Sequence, residues 1–383
     1  MTIIIFLIIL AVLVLSHELG HFSVAKFFGI RVDEFGFGFP PKIFSWKKGE
    51  TIYYINLLPL GGFVKIFGED PTSDVLDKDH KDAERSLCHK PRHIQAAVIF
   101  AGVLFNLILA WLVMSLGFIY GLPVPEGFSK LGPDPASSKL IVTGILKGAP
   151  AEEGGLKPGV NLVYLATKED SIQSLNIDSV EKFITSHEGQ EIFVGYKEPA
   201  NSGVLISVGM GPLDYGQETK TAVVIPKKGI IGDKPGIGIS MDMIGILKLP
   251  FFEAIYAGGV AVYALFQSTI SGLFHYIIGF FTGTSTAGSV SGPIGLIGIV
   301  GDAARFGIAY ILALVALISV NLAVLNLVPF PALDGGRLFF LLIESIIRKP
   351  LNPKVVNVLN IAGFLFLLVL MLVVTYGDIL KLI

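Results

Sequence analysis

The sequence predicts a polytopic α-helical membrane protein of about four transmembrane helices, with one β-rich domain inserted between the second and third. Three observations predict this. The 383-residue chain is 52% hydrophobic and only 16% charged, and its mean hydropathy is +0.70. A soluble fold with so few charges would lack the polar surface that keeps it dispersed. Four apolar runs reach the roughly 20 residues that a helix needs to cross hydrocarbon, and a long polar stretch, residues 125–248, separates the second from the third. The net charge of −2 excludes the basic surface of a nucleic-acid binder. The single cysteine, Cys88, excludes an intrachain disulfide and any Cys-rich metal site.

The first run, residues 3–28, reads as a retained span. No basic residue precedes it and no small-residue cleavage site follows, as a signal peptide would require. The other three runs are 94–121, 308–328 and 355–376. Short loops rich in Lys and Arg stay in the cytoplasm. The loop after the first span carries Lys42, Lys47, Lys48, Lys65, Lys90 and Arg92, and the loop after the third carries Arg337, Arg348, Lys349 and Lys354. Both are expected to be cytoplasmic, which puts residues 125–248 and both termini outside. Residues 251–281 are apolar enough to span, but a fifth crossing would invert the loop at 337–354. They are expected to form an amphipathic helix at the interface, with Glu253 and His275 towards water. The expected division is therefore 1–124, 125–248, 249–307 and 308–383.

Within 125–248, short β-rich runs such as "KLIVTGIL", "NLVYLA", "EIFVGYK", "VLISVGM" and "TAVVIP" alternate with Gly/Pro turns. One helix, in "DSVEKFITSHEG", is expected to be capped by Asp178 or Ser179. The run "GAPAEEGGLKPG" (148–159) resembles part of a PDZ domain, although Val160 stands where such domains usually carry Asp. A PDZ-like fold implies capture of a peptide at a strand edge. The plainer alternative is a β-rich spacer.

The sharpest chemical signal is "HELGH", at the end of the first span. On a helix, His17 and His21 project from one face and can bind one ion, with Glu18 beside it to take a proton from water. Ionisable residues inside a span are by default interior-facing and functional. The chemical preference of such a site is zinc, and a catalytic zinc usually has three protein ligands. His80, His89 and His93 belong to a solvated loop, His187 lies outside and His275 is interfacial. Asp334 remains, in "NLVPFPALDGGR" (326–337), where Pro329 and Pro331 break the helix and Gly335-Gly336 lets the chain bend.

With these motifs together, the chain resembles the site-2 protease family of intramembrane zinc metalloproteases, in its bacterial RseP type. "FGFGFP" (35–40) is similar to the family's G-x-G segment, "INLLPLGGFVKIFGED" (55–70) to its membrane-associated β-hairpin, and "SGPIGLIGIVG" (291–301) to the stretch before the third span. The resemblance implies that His17, His21 and Asp334 hold Zn2+, that Glu18 is the catalytic carboxylate and that Asn326 helps to hold substrate. It implies substrates that are single-span membrane proteins, for example anti-sigma-factor-like proteins or signal-peptide remnants, met in the lipid bilayer.

A helical substrate must unwind before its scissile bond is accessible. The strand around Tyr53, Tyr54, Ile55, Asn56, Leu57 and Leu58, with "FVKIF" beyond the turn "PLGG" (59–62), offers an edge for the extended substrate to pair with. Asn106, on the second span, is expected to face the interior, as a site group or as an interhelix hydrogen bond. Two other classes compete. A catalytically silent PDZ-bearing scaffold would not need Glu18. A metal transporter would string ionisable groups along several spans, and residues 355–375 have none.

Overall fold

An apolar run in lipid must satisfy its own backbone, so helix is its default, and the first run is helical throughout, as α1 (Thr2–Phe27). The structure is a computed structural model that describes residues 2–69, 82–126, 136–199, 215–231, 234–282 and 292–382. Its chain forms two units, residues 1–114, 258–297 and 314–383 in one, and 115–257 and 298–313 in the other. His80 and the run "VLISVGM" (204–210) lie outside the described residues.

After α1 come β1 (Val32–Lys48) and β2 (Thr51–Ile66), joined by Gly49 and Glu50, with Gly49 at φ 65°. Their pairing is doubled. Residues 42–48 face 51–56, while Phe35 lies between Tyr53 and Val64, and Gly36 between Tyr54 and Phe63. The stretch 52–55 is therefore paired on both sides, and 62–66 is an outer strand. This departs from the expected hairpin. "PLGG" does not fold 53–58 onto "FVKIF", because residues 34–37 lie between them. Lys26 at the end of α1 and Arg85 both grip Glu50 at the turn, at 2.5 and 2.7 Å. The Lys26 ammonium, helped by Arg85, holds the Glu50 carboxyl below its ordinary range.

Helix α2 (Arg92–Tyr120) follows. It packs so closely on α1 that a side chain at Gly20 would overlap the Ala101 carbonyl. Ser16 Oγ donates to the Phe105 carbonyl at 3.1 Å in the same crossing.

The second unit carries the β-rich domain. Its elements are β3 (Leu122–Pro125), β4 (Ala136–Ile145), α3 (Pro150–Glu153), β5 (Asn161–Ala166), β6 (Ser171–Ile172), α4 (Ile177–Ser186), β7 (Ile192–Lys197), β8 (Lys220–Val224), β9 (Lys227–Ile231), β10 (Lys234–Gly236) and β11 (Ile239–Leu247). The main sheet runs β3-β11-β4-β5-β7-β8, with β6 on β5, and β9 pairs separately with β10. Helix α4 buries Val180, Phe183 and Ile184, one face at helical spacing, against Leu140, Val142, Ile192 and Val194. Val160 is part of this core, which accounts for an apolar residue there. The helix starts earlier than expected. Asn176 is its N-cap, and Ser179 is the third helical residue, answering in a reciprocal capping box.

The chain continues through α5 (Phe251–Thr282), α6 (Pro293–Phe306), α7 (Ile308–Leu327), α8 (Asp334–Ile347) and α9 (Pro353–Leu382). The helix expected at 251–281 also touches its neighbours. Glu253 and His275 are exposed, but Gly259 lies beside the Trp111 indole of α2, and Thr269 Oγ1 donates to Asn321 Oδ1 of α7 at 2.9 Å. Among the described residues, α1, α2, α5, α7 and α9 are each long and apolar enough to cross a membrane.

Candidate metal and catalytic site

Histidines at i and i+4 share a helix face, and on α1 His17 and His21 bring their Nε2 atoms to 3.3 Å from each other. Asp334 comes from the far end of the chain. Its Oδ2 lies 3.2 Å from His17 Nε2 and 3.4 Å from His21 Nε2. Two local features carry it there. The break at Pro329 and Pro331 ends α7, and α8 then starts at Asp334 and folds back closely. A Cβ on Gly335 would overlap the carbonyls of Leu327 and Val328, and one on Gly336 the carbonyl of Phe330. Only glycine permits that approach.

The three atoms form a nearly equilateral triangle. In a tetrahedron with zinc–ligand bonds of about 2.1 Å, neighbouring donors lie about 3.4 Å apart. The donor set therefore fits one tetrahedral ion with a fourth position left for water or substrate. A second observation supports the fit. Among the described residues no hydrogen-bond donor is assigned to the buried Asp334 Oδ2, the situation of a group suited to a cation. Among the described residues no other group of His, Cys, Asp and Glu converges in this way. His89, His187 and His275 instead turn Nδ1 to the carbonyls of Ala83, Phe183 and Ser271.

The His21 ring is held in the tautomer that a metal requires. His21 Nδ1 lies 2.8 Å from the Val98 carbonyl, which can only accept, so the ring hydrogen sits on Nδ1 and Nε2 keeps its lone pair. Asn106 Nδ2 lies 3.3 Å from His17 Nδ1, while among the described residues the Oδ1 of that buried amide has no partner, so exchanging the two amide atoms would satisfy both groups. With Oδ1 turned to the ring, Asn106 accepts the His17 Nδ1 hydrogen and frees Nε2. The Asn106 carbonyl also accepts from Ser319 Oγ of α7 at 2.7 Å. Asn106 thus reaches His17 of α1 with its side chain and Ser319 of α7 with its main chain.

Gly102, one turn before it, forms the floor beneath the rings. A Cβ there would overlap His21 Nε2 and lie 2.6 Å from His17 Cε1. Sequence reasoning passed over Gly102. Its only signal was a glycine inside an apolar span, the mark of a close approach.

Glu18 lines the same cavity, of about 330 Å³, together with His17, His21 and Asp334. Its other wall is the outer strand, through Gly62, Phe63, Val64 and Ile66. A Cβ on Gly62 would lie 3.0 Å from Glu18 Cγ, so the strand passes directly against the carboxylate. Residues 53–58 do not line this cavity. Tyr53 stacks on Trp46 at 5.3 Å, Tyr54 lies against Phe63, and buried Asn56 donates to the Gly38 carbonyl at 2.9 Å. Ile55, Leu57 and Leu58 are exposed. Asn326, half-buried near the end of α7, is not among the lining residues. Arg337, Asn360, Ala332 and Glu69, which were not singled out from sequence as site residues, are. Arg337 pairs with Glu69 across the mouth.

Comparison with known proteins agrees with this chemistry. The sequence profile of Peptidase family M50 matches residues 5–370. A Clostridium perfringens protein that carries a zinc metalloprotease name is 33% identical over 379 residues, 99% of this chain and 98% of that one. Zinc metalloprotease RasP of Geobacillus kaustophilus is 29% identical, covering 99% of this chain and 98% of its own. RasP of Shouchella clausii is 27% identical, at 100% and 99%.

The Asn106 geometry makes a prediction. Asn106→Leu keeps the volume and the main-chain bond to Ser319 but removes the acceptor for His17. Zinc affinity should fall about 10- to 100-fold, measured by chelator competition on the solubilised protein. Unchanged affinity would leave Asn106 only its link to α7.

Proposed function

Because this chain belongs to Peptidase family M50, the site-2 family of zinc metalloproteases, we propose that this membrane protein hydrolyses peptide bonds within or beside the transmembrane segment of single-span membrane proteins. One observation carries the reading. The donor triangle of His17, His21 and Asp334 shares a cavity with a carboxylate, Glu18, and with an outer β-strand.

In this reading His17, His21 and Asp334 hold the zinc ion, which when bound supplies Lewis-acid polarisation of the scissile carbonyl and lowers the pKa of water. Glu18 accepts a proton from the attacking water and delivers it to the leaving amine nitrogen. Residues 62–66 receive the unwound substrate as an added strand. They are paired with β1 on one side and border the cavity on the other. Backbone groups freed from the substrate helix find new partners there, which matters because each unpaired group in lipid costs several kcal/mol. The double pairing of 52–55 moves this role from residues 53–58 to 62–66. The β-rich domain is read as a PDZ-like module for an extended peptide.

The orientation follows from charge and from the metal site. The loops at 31–91 and 337–354 are cytoplasmic by their Lys and Arg content, and residues 125–248 lie outside. His21 and Asp334 can share one ion only if α1 and α7 end on the same side. A crossing by α5 is then compatible only with a return of the chain before α7, so residues 251–307 are read as an excursion with no net crossing.

Four results are expected. Glu18→Gln removes the base and leaves the ligands, so cleavage of a panel of single-span proteins should fall about 100- to 10,000-fold with zinc retained. Asp334→Ala should instead lose zinc, and a variant with full zinc and normal rate would place the third ligand elsewhere. Proline introduced at Phe63 and at Val64 in turn should remove an edge donor at one of them. Cleavage should drop there while zinc stays bound, and normal cleavage by both variants would dispose of strand addition. Finally, with Cys88 replaced, Ser171→Cys should react with an impermeant thiol reagent on intact cells, and Lys349→Cys only after the membrane is opened. Labelling of both would overturn the orientation.

A further inference from the structure

Two residues before Asp334, Ala332 has φ 77°. This left-handed conformation disfavours any residue with a Cβ by a factor of about 5 to 30 in population. Something must hold it. The preceding Pro331 has its φ fixed by its ring, so the turn at Ala332 sets the direction in which the chain enters α8. The Ala332 N–H donates to Asn360 Oδ1, on α9, at 3.2 Å.

The rest of α9 shows that this contact is not incidental. Its most apolar stretch is only 6% buried, so nearly all of the helix faces outwards. Apart from Asp378, which is buried and accepts from the Gly295 N–H, three of its residues contact the segment before Asp334, although Phe366 among them is more than half exposed. Gly363 is buried, and a Cβ there would overlap the Pro331 carbonyl. The Phe366 ring lies 5.5 Å from that of Phe330. Residues 360, 363 and 366, spaced by three on one helix face, thus meet 332, 331 and 330 in turn. A carboxamide and a glycine on a helix otherwise suited to hydrocarbon mark the side that touches protein.

We propose that Asn360 is a positioning residue for the metal site: its side-chain carbonyl holds Ala332 in the left-handed conformation that aims Asp334 at His17 and His21. Gly363 lets α9 come close enough for the bond to form. Asn360 acts through Ala332 and Asp334 and needs no contact with the ion. This inference rests on Asp334 being a metal ligand.

The test measures zinc affinity of the full-length solubilised protein by chelator competition, without reference to cleavage. Asn360→Leu removes the acceptor, so Ala332 relaxes and Asp334 must be brought back on binding. Affinity should fall about tenfold, the population factor of the left-handed state. Glycine adopts positive φ without steric cost. In an Ala332→Gly background the same Asn360→Leu change should therefore cost less than about threefold, a non-additivity that simple loss of packing would not produce. An equal loss in both backgrounds, or no loss in either, overturns the proposal. If Asn360→Leu fails to accumulate, Ala332→Val examines the same turn from the loop side. A β-branched residue resists positive φ, so its zinc affinity should fall about tenfold or more, and full affinity overturns the proposal. Retention of zinc by Asp334→Ala would instead sink the ligand assignment itself. Loss of zinc there, with additive effects at Asn360 and Ala332, would overturn the positioning role alone.

Discussion

Two imidazoles and two carboxylates gathered at the end of an apolar helix are the constraint on which the rest of this structure depends. Hydrocarbon excludes each of them unless it is paired. The arrangement around His17, Glu18, His21 and Asp334 answers that cost in three ways. Donor atoms 3.2–3.4 Å apart share their charge around one cation position. The outward ring nitrogens are tied to Val98 and Asn106. A sheet, rather than lipid, closes the remaining side.

Each wall is built from close approach. Gly20 and Gly102 bring α2 against the histidine face of α1, and Gly335 and Gly336 fold α8 back on the end of α7. Glycine is costly inside a helix, by roughly 1 kcal/mol relative to alanine, and here it is used where a methyl group would overlap a carbonyl or a ring. In a bilayer, where apolar side chains gain nothing by leaving lipid, such contacts are the main means of fixing helices to one another. Helix packing and metal geometry are thus one problem in this protein. A shift of α2 large enough to admit a methyl at Gly102 would also displace both imidazoles.

Much of this was legible in the sequence, and what was not has physical causes. The helices at 2–27, 92–120, 308–327 and 353–382 follow from run length, because a spanning segment has no alternative but helix. The grouping of His17 with His21 follows from spacing on one helix. That of Asp334 with them needed the proline break, the paired glycines and the same-side argument, all visible as residue types. Pairing across the sheet was not visible. Whether 53–58 or 62–66 forms the edge depends on residues 34–37 threading between them, a long-range choice that no local pattern encodes. The cap of α4 was misplaced because Asn176 and Ser179 are both good capping residues and form a reciprocal pair. For 251–281, length and composition suit an interfacial helix and a spanning one equally, so no local pattern separates them. Asn360 and Gly363 carried only the general signal of a polar and a small residue in an apolar run, since their meaning lies in the loop that they touch.

The outer strand and the metal site also constrain each other. Gly62 passes against Glu18 because it has no side chain, and its neighbours are held in extended form by pairing with 34–37. A substrate strand laid along 62–66 would have its backbone aligned before it reached the carboxylate, and much of the entropic cost of orienting the scissile bond would be met by β-pairing. The same pairing replaces the hydrogen bonds of the unwound substrate helix. If transmembrane helices are the substrates, as proposed, selection under this arrangement would act first on the ease with which such a helix opens, and only then on side chains. A site built on such backbone recognition would accept any sequence that unwinds, and discrimination would then fall to other lining residues, among which Arg337 and Glu69 pair with each other.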